Sequence, residues 1–220
     1  MIFKTQELEL YYKKTGQGKP IILLHGSGDD HTVFDVLTKQ LSPNFTVYAI
    51  DSRNHGKSGK TKNLYYADMA EDVAAFIVEM KLHNPMLYGF SDGAIIGLLL
   101  AIKYPALLSK LIISGANTHP NGTKNWFLSL VKFIYFLTRS ERFKMALTQP
   151  NITDAELQTI ITPTLILAGS KDVVKDEHTR SIAGSIRGSI LNVLNGESHA
   201  SYAVHSSKLY EIIKPFIFEI

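Results

Sequence analysis

Ser91 stands at the centre of a Gly-x-Ser-x-Gly pattern formed by residues 89–93. The apolar residues 85–88 before it predict a buried strand, and the small or apolar residues 94–102 after it predict a buried helix. A serine at a sharp strand-to-helix turn is typical of a nucleophile elbow. Glycine two positions before and after the serine keeps side chains away from this strained turn. The sequence therefore predicts that Ser91 is a nucleophile.

A serine hydroxyl attacks only when a base accepts its proton and an acid orients that base. His199 follows a predicted strand at residues 190–194, and Asp172 follows another at residues 164–168. Both loops would leave the C-terminal ends of parallel strands, the edge of the sheet at which Ser91 is also expected. We therefore predict that His199 accepts the proton of Ser91 and that Asp172 holds the other ring nitrogen of the histidine.

Two further carboxylates lie near predicted strand ends. Glu197 is only two residues from His199, too near along the chain to approach the far ring nitrogen easily. Asp51 ends an earlier predicted strand and is expected to hold its own loop. The predicted strand before the one at residues 164–168 ends at residue 114. Residues 114–117 contain no carboxylate. Asp172 is accordingly the predicted acid.

Strand and helix patterns alternate over residues 20–114 and again from residue 163 onward. This alternation predicts an α/β fold with a mostly parallel sheet and helices on both of its faces. Residues 117–162, which we call the cap insertion, interrupt the alternation and are rich in aromatic and aliphatic side chains. We predict one domain over residues 1–220 that carries this insertion. The insertion is either a lid whose inner face lines an acyl pocket or a helix packed on the body or at a dimer contact.

Composition excludes several classes of function. The 220 residues carry a net charge of only +3, with lysine and arginine scattered along the chain, so nucleic acid is not an expected partner. The absence of cysteine excludes disulfides, thiolate metal sites and a cysteine nucleophile. No signal peptide is visible, and the apolar run at residues 94–102 is far short of the roughly 20 residues that span a bilayer. We expect a cytoplasmic protein without stable membrane insertion.

Five motifs in order along nearly the whole chain resemble those of the α/β-hydrolase superfamily, in particular its serine esterases with a short cap. They are His25-Gly26, Asp51-x-Arg53-x-x-Gly56-x-Ser58, the serine elbow, Pro163-Thr164-Leu165 with Gly169 and Asp172, and Gly196 with His199. The resemblance implies the α/β-hydrolase fold. It also implies an oxyanion hole made by the backbone N–H groups of Asp92 and Ser27, with that of Gly26 as the alternative donor.

The resemblance favours a serine hydrolase that cleaves small or medium carboxylic esters through an acyl-enzyme. A serine nucleophile argues against the dehalogenase and epoxide-hydrolase branches, which need a carboxylate at this position. The cap insertion is short, so a small or medium ester is expected rather than a bulky one. Trp126 and Phe127 of the insertion are candidate substrate-binding residues. The carboxylate of Asp92 either selects substrates with a positive group or binds a neighbouring hydroxyl or side chain.

Other functions remain open at this stage. The same three residues could support hydrolysis of a carbon–carbon bond, cleavage of amides, peptides or amino-acid esters, or perhydrolysis, and a ligand receptor with slow turnover could also retain them. We expect no cofactor. We expect no metal either, because a metallohydrolase with the local pattern of His25 and Asp29–His31 would need histidine at Ser27. A homodimer is a further expectation that the sequence does not test.

Overall fold

The computed structural model describes residues 1–5 and 7–219. Its strands form one sheet in the order β1-β2-β4-β3-β5-β6-β7-β8. The first two strands are antiparallel to their neighbours, and all the others run parallel. The strands are β1 (Ile2–Lys4), β2 (Glu9–Thr15), β3 (Lys19–Leu24), β4 (Phe45–Ile50), β5 (Met86–Phe90), β6 (Lys110–Ser114), β7 (Thr164–Lys171) and β8 (Ile190–Ser198).

Helices connect the parallel strands and cover both faces of the sheet. They are α1 (Asp35–Leu41), α2 (Tyr66–Glu79), α3 (Asp92–Lys103), α4 (Asn125–Thr138), α5 (Glu141–Thr148), α6 (Asp154–Leu157), α7 (Asp176–Ser185) and α8 (Lys208–Phe218). The side chains of β5 are buried along its whole length, and those of β3 and β6 are buried along most of theirs, which explains why these strands read as short apolar runs. One apolar core packs on each face of the sheet.

The predicted elements agree closely with this architecture, and the differences concern their ends. The pattern of residues 8–14 predicts an edge strand, but the N-terminal edge strand is β1, and β2 lies between β1 and β4. Strands β7 and β8 each continue beyond their apolar runs into the polar residues that lead to the candidate site. The sequence predicts a closing helix over residues 204–220. The observed helix α8 begins later, at Lys208, and residue 220 lies outside the described residues.

The segment between β6 and β7 holds three helices, α4, α5 and α6. All three lie within residues 117–162, the predicted cap insertion, and α4 packs against α5. None of the described helices is both long enough and apolar enough to cross a membrane.

Candidate active site

Ser91 occupies the sharp turn between β5 and α3. Its backbone has φ 53° and ψ −113°, a strained combination for a residue with a side chain, and its N–H donates to the carbonyl of Ser114 at 2.8 Å. A β-carbon on Gly89 would collide with the carbonyl of Gly93, and one on Gly93 would collide with the carbonyl of Leu24. The two glycines are therefore required by the closeness of the backbone on both sides of the serine.

The structure brings together the three side chains that the sequence predicts. The Nε2 atom of His199 lies 3.0 Å from the Oγ of Ser91, and its Nδ1 lies 2.7 Å from the Oδ1 of Asp172. Because a carboxylate can only accept, Nδ1 carries the proton and Nε2 is free to accept from the serine hydroxyl. The three residues follow β5, β7 and β8, which all end at the same edge of the sheet.

Asp172 is buried and held in place by its loop. The N–H of Val174 donates to its Oδ1 at 3.0 Å, beside the hydrogen bond from His199. Burial by itself would raise the pKa of Asp172, but the hydrogen bond and the charge interaction with His199 outweigh burial and lower that pKa below its usual value. The group is therefore ionised at neutral pH and can stabilise a positive charge on the imidazole.

Two backbone N–H groups beside Ser91 are available to an anion. Among the described residues, neither the N–H of Asp92 nor that of Ser27 meets a hydrogen-bond acceptor, whereas the N–H of Gly93 donates to the carbonyl of His25 at 3.1 Å. The loop after β3 passes close to the nucleophile, since a β-carbon on Gly26 would lie 3.1 Å from the β-carbon of Ser91. Two backbone donors without an acceptor in the part of the chain that is described therefore lie in the segments next to Ser91, that of Asp92 at the N-terminus of α3 and that of Ser27 in the loop after β3.

Buried side chains fix the loops after β3 and β4. The Nδ1–H of His25 donates to the carbonyl of Gly26 at 2.8 Å, and its Nε2 accepts from the N–H of Ser52 at 3.0 Å. Burial lowers the pKa of His25 to about 4, so the ring is neutral and structural, as predicted. Asp51 accepts from the N–H of Lys57 at 2.9 Å, which confirms that it holds its own loop, and it also accepts from the backbone and ring of His31 in the segment after β3.

A cavity of about 380 Å³ opens beside Ser91 and His199. One wall is apolar and comes from α4, through Phe127, Leu128 and Val131, so Phe127 lies where the sequence predicts a substrate contact. Trp126 does not line this cavity. Consecutive helical residues point about 100° apart, and the indole of Trp126 faces outward with 60% of the residue exposed.

Asp92 also lines the cavity, and one of its two carboxylate oxygens accepts a hydrogen bond. The hydroxyl of Tyr66 donates to its Oδ1 at 2.7 Å, whereas its buried Oδ2 has no partner with hydrogen-bonding geometry within the described part of the chain. Burial raises the pKa of Asp92, although the Tyr66 hydrogen bond and the nearby Ser27 hydroxyl oppose this effect. The structure therefore provides the neighbouring hydroxyl that one interpretation required, and it leaves one carboxylate oxygen free.

Sequence reasoning missed several polar residues of the cavity, among them Tyr66 and Arg142. Tyr66 begins α2, and Arg142 is in α5 with its Nη1 3.6 Å from the position of a β-carbon on Gly28. The ion pair in α5 joins Glu141 and Lys144, and no ion pair in residues 1–5 and 7–219 includes Arg142. Nothing local in the sequence marks either residue, because each reaches the cavity from a helix distant in the chain from Ser91.

The chain belongs to the α/β-hydrolase family, because the sequence profile described as the alpha/beta hydrolase fold matches residues 19–143, more than half of its length. The human protein Serine hydrolase BPHL is 27% identical to this chain, over 96% of this chain and 83% of its own. A Haemophilus influenzae protein named Putative esterase/lipase is 25% identical, over 93% of this chain and 85% of its own.

The fold agrees with that of solved hydrolases. An esterase from Exiguobacterium antarcticum superposes with a TM-score of 0.85 at 22% identity, covering 96% of each chain. The predicted fold class and the predicted resemblance are both confirmed, and the chain is an α/β-hydrolase with esterases among its relatives.

Proposed function

We propose that this protein is a serine hydrolase that cleaves small or medium carboxylic esters through an acyl-enzyme. The observation that carries the proposal is the continuous hydrogen-bonded chain from Ser91 through His199 to the buried Asp172, at the wall of a ligand-sized cavity. Cavities that bind small molecules usually have volumes of roughly 300–1,000 Å³. The value of about 380 Å³ lies at the lower end of this range and favours a small or medium acyl group.

Each chemical step has a group in position. His199 accepts the proton of Ser91 as the serine oxygen attacks the ester carbonyl, and Asp172 stabilises the imidazolium that forms. The N–H groups of Ser27 and Asp92 bind the oxyanion of the tetrahedral intermediate. His199 then gives its proton to the leaving alcohol. A water molecule, deprotonated by His199, attacks the acyl-enzyme and releases the acid, which restores the free serine.

Asp92 supports a preference for esters that carry a positive group. Its Oδ2 is buried beside the cavity without a partner with hydrogen-bonding geometry, and such an oxygen gains most from a donor that carries a charge. Tyr66 already satisfies Oδ1, so it fixes the orientation of the carboxylate. We propose that the ammonium group of an α-amino ester binds the free oxygen.

Arg142 favours a second class of substrate, esters with a carboxylate group. Its guanidinium lies at the cavity beside the loop of Ser27 and Gly28 and makes no ion pair among the described residues. A guanidinium binds a carboxylate with two parallel hydrogen bonds. The cavity thus offers the carboxylates of Asp92 and Asp29 as well as a guanidinium, and the two substrate classes can be separated by experiment.

The experiment measures kcat/KM for three p-nitrophenyl esters of similar size: the neutral butyrate, the cationic α-aminobutyrate and the anionic hemisuccinate. Wild-type enzyme should hydrolyse at least the neutral ester, and Ser91→Ala should abolish this activity. If Asp92 binds an ammonium group, Asp92→Asn should reduce kcat/KM for the cationic ester about 10- to 100-fold and leave the butyrate little changed.

The matched variant at the other charge is Arg142→Gln, which should affect only the hemisuccinate if the guanidinium binds a carboxylate. Equal losses on all three esters in Asp92→Asn would refute the charge preference of Asp92. Failure of wild-type enzyme to hydrolyse any ester faster than Ser91→Ala would refute the esterase proposal itself.

A further inference from the structure

Helix α4 exposes a continuous apolar face to solvent. Trp126, Leu130, Phe133 and Leu137 recur at the spacing of one helical face, and Phe136 lies at its border. These five residues are between 46% and 65% exposed. Only Val131 of the fourteen residues of α4 is buried. An apolar area of this extent is unusual on a soluble surface and normally marks an interaction site.

The opposite side of the same helix has its own role. Phe127, Leu128 and Val131 line the cavity beside Ser91, so the apolar residues of α4 divide into an inner and an outer set. Packing on the body of the protein accounts for the inner set only. The outer set therefore requires a different explanation, namely contact with a surface outside the protein.

Positive charge borders the outer face on the side of Phe136. Residues 124–144 contain five basic side chains, of which Arg142 lines the cavity, and one acidic side chain, Glu141, which pairs with Lys144 at 3.1 Å. Lys132 on α4 and Arg139 at its C-terminal end are both exposed. The guanidinium of Arg139 lies 5.5 Å from the ring centre of Phe136. An aromatic and aliphatic face bordered by lysine and arginine is the pattern of a helix that lies in the interface of an anionic membrane.

The same charges disfavour a second copy of this chain as the occupant. A symmetric dimer through α4 would bring two sets of like charges together around an apolar contact, with Glu141 as the one acidic residue of residues 124–144 to offset them. An anionic lipid surface would instead attract each basic side chain by about 1 kcal/mol. The length of α4, about 21 Å for fourteen residues, suits a helix that lies in the plane of the interface.

We propose that the outer face of α4, formed by Trp126, Leu130, Phe133, Phe136 and Leu137, binds the surface of an anionic lipid bilayer. Apolar side chains enter the boundary between head groups and acyl chains while Lys132 and Arg139 contact the anionic head groups. Because α4 also lines the cavity, this contact would hold the cavity close to the lipid surface. The inference does not depend on the esterase proposal, since it concerns a surface whose binding is measured without substrate.

The test is sedimentation of the whole protein with vesicles of phosphatidylcholine alone or with one third phosphatidylglycerol. We expect binding to the anionic vesicles that weakens at high salt and is at least about tenfold weaker for neutral vesicles. The double variant Phe133→Ser/Leu137→Ser should lose at least about tenfold in affinity for anionic vesicles. Lys132→Glu/Arg139→Glu should lose binding to a similar degree and should remove the dependence on salt.

The matched control is Val78→Ser/Ile161→Ser, which removes two equally exposed apolar side chains outside α4 and should bind vesicles as the wild type does. Thermal unfolding of every variant establishes that the fold is intact. The proposal is overturned if the wild type does not bind anionic vesicles or if the Phe133→Ser/Leu137→Ser variant binds them with wild-type affinity. It is also overturned if sedimentation equilibrium shows a dimer that this variant dissociates while vesicle binding is absent.

Discussion

His199 depends on one carboxylate for its orientation, although two lie nearby in the chain. Asp172 is buried and accepts from its Nδ1 at 2.7 Å. Glu197 points away, accepting from Ser201 at 2.6 Å and from Lys208 at 2.5 Å. Backbone geometry explains the difference, because Glu197 lies in β8 only two residues before the histidine while Asp172 approaches from the neighbouring strand β7.

These contacts predict a large difference between two isosteric substitutions. Asp172→Asn should lower kcat for an activated ester by about 10³- to 10⁴-fold, because an amide neither stabilises the imidazolium nor fixes its tautomer. Glu197→Gln should leave kcat within about twofold of wild type, because Glu197 is half-buried in contacts with Ser201 and Lys208 and does not touch the ring of His199. Steady-state kinetics of both variants on p-nitrophenyl butyrate would check this. Comparable losses in the two variants would contradict the role given to Asp172.

The residues of the proposed triad could be predicted from the sequence, whereas those that shape the cavity could not. Ser91, Asp172 and His199 each follow an apolar strand, and parallel strands bring such positions to one edge whatever the details of packing. Tyr66 and Arg142 reach the cavity only through the way α2 and α5 pack, which no local pattern encodes. Trp126 was predicted beside Phe127, but the rotation of α4 turns it to solvent.

At the scale of elements, the turn from β5 to α3 sets the position of the nucleophile. Strand β5 pairs in parallel with β3 and β6, and α3 packs directly over these strands. Gly93 lies where α3 crosses the end of β3, with no room for a β-carbon next to the carbonyl of Leu24. Gly184 in α7 differs, since a β-carbon there would meet nothing within 4 Å.

Alanine at these two helical glycines should therefore change stability in opposite directions. Gly93→Ala must displace backbone at the elbow and should destabilise the protein by at least about 2 kcal/mol. Gly184→Ala should raise the free energy of unfolding by about 0.5–1 kcal/mol, because alanine favours the helix without any collision. Urea unfolding at neutral pH measures both changes. A Gly93→Ala variant as stable as wild type would show that the elbow tolerates a side chain at this position.

At the scale of the whole molecule, buried neutral histidine links folding to pH. Burial lowers the pKa of His25 to about 4, while an unfolded chain would have a histidine pKa near 6.5. As pH falls from about 6.5 towards 4, the unfolded state binds a proton that the folded state does not bind, so stability decreases over this range. Below about 4 both states are protonated and this contribution no longer changes.

The expected loss from His25 is about 2 kcal/mol between pH 7.5 and pH 5, since one pKa unit corresponds to about 1.4 kcal/mol. His25→Gln removes this titration. The fall in unfolding free energy over the same pH range should therefore be smaller by about this amount, even if the variant is less stable at every pH. The matched control is His83→Gln, which makes the same substitution at an exposed histidine. Urea unfolding curves at a series of pH values give both slopes, and an unaltered slope in His25→Gln would contradict the account of this residue.

The central claim is that Ser91 forms an acyl-enzyme, and trapping that intermediate tests it most directly. The protein is mixed with p-nitrophenyl butyrate, quenched in acid during the first turnovers and examined by mass spectrometry of the intact chain and its peptides. We predict an added mass of one butyryl group on the peptide that contains Ser91, in step with a burst of p-nitrophenol, and no such adduct in Ser91→Ala. Ester hydrolysis by Ser91→Ala at the wild-type rate, or an adduct on another residue, would contradict the claim.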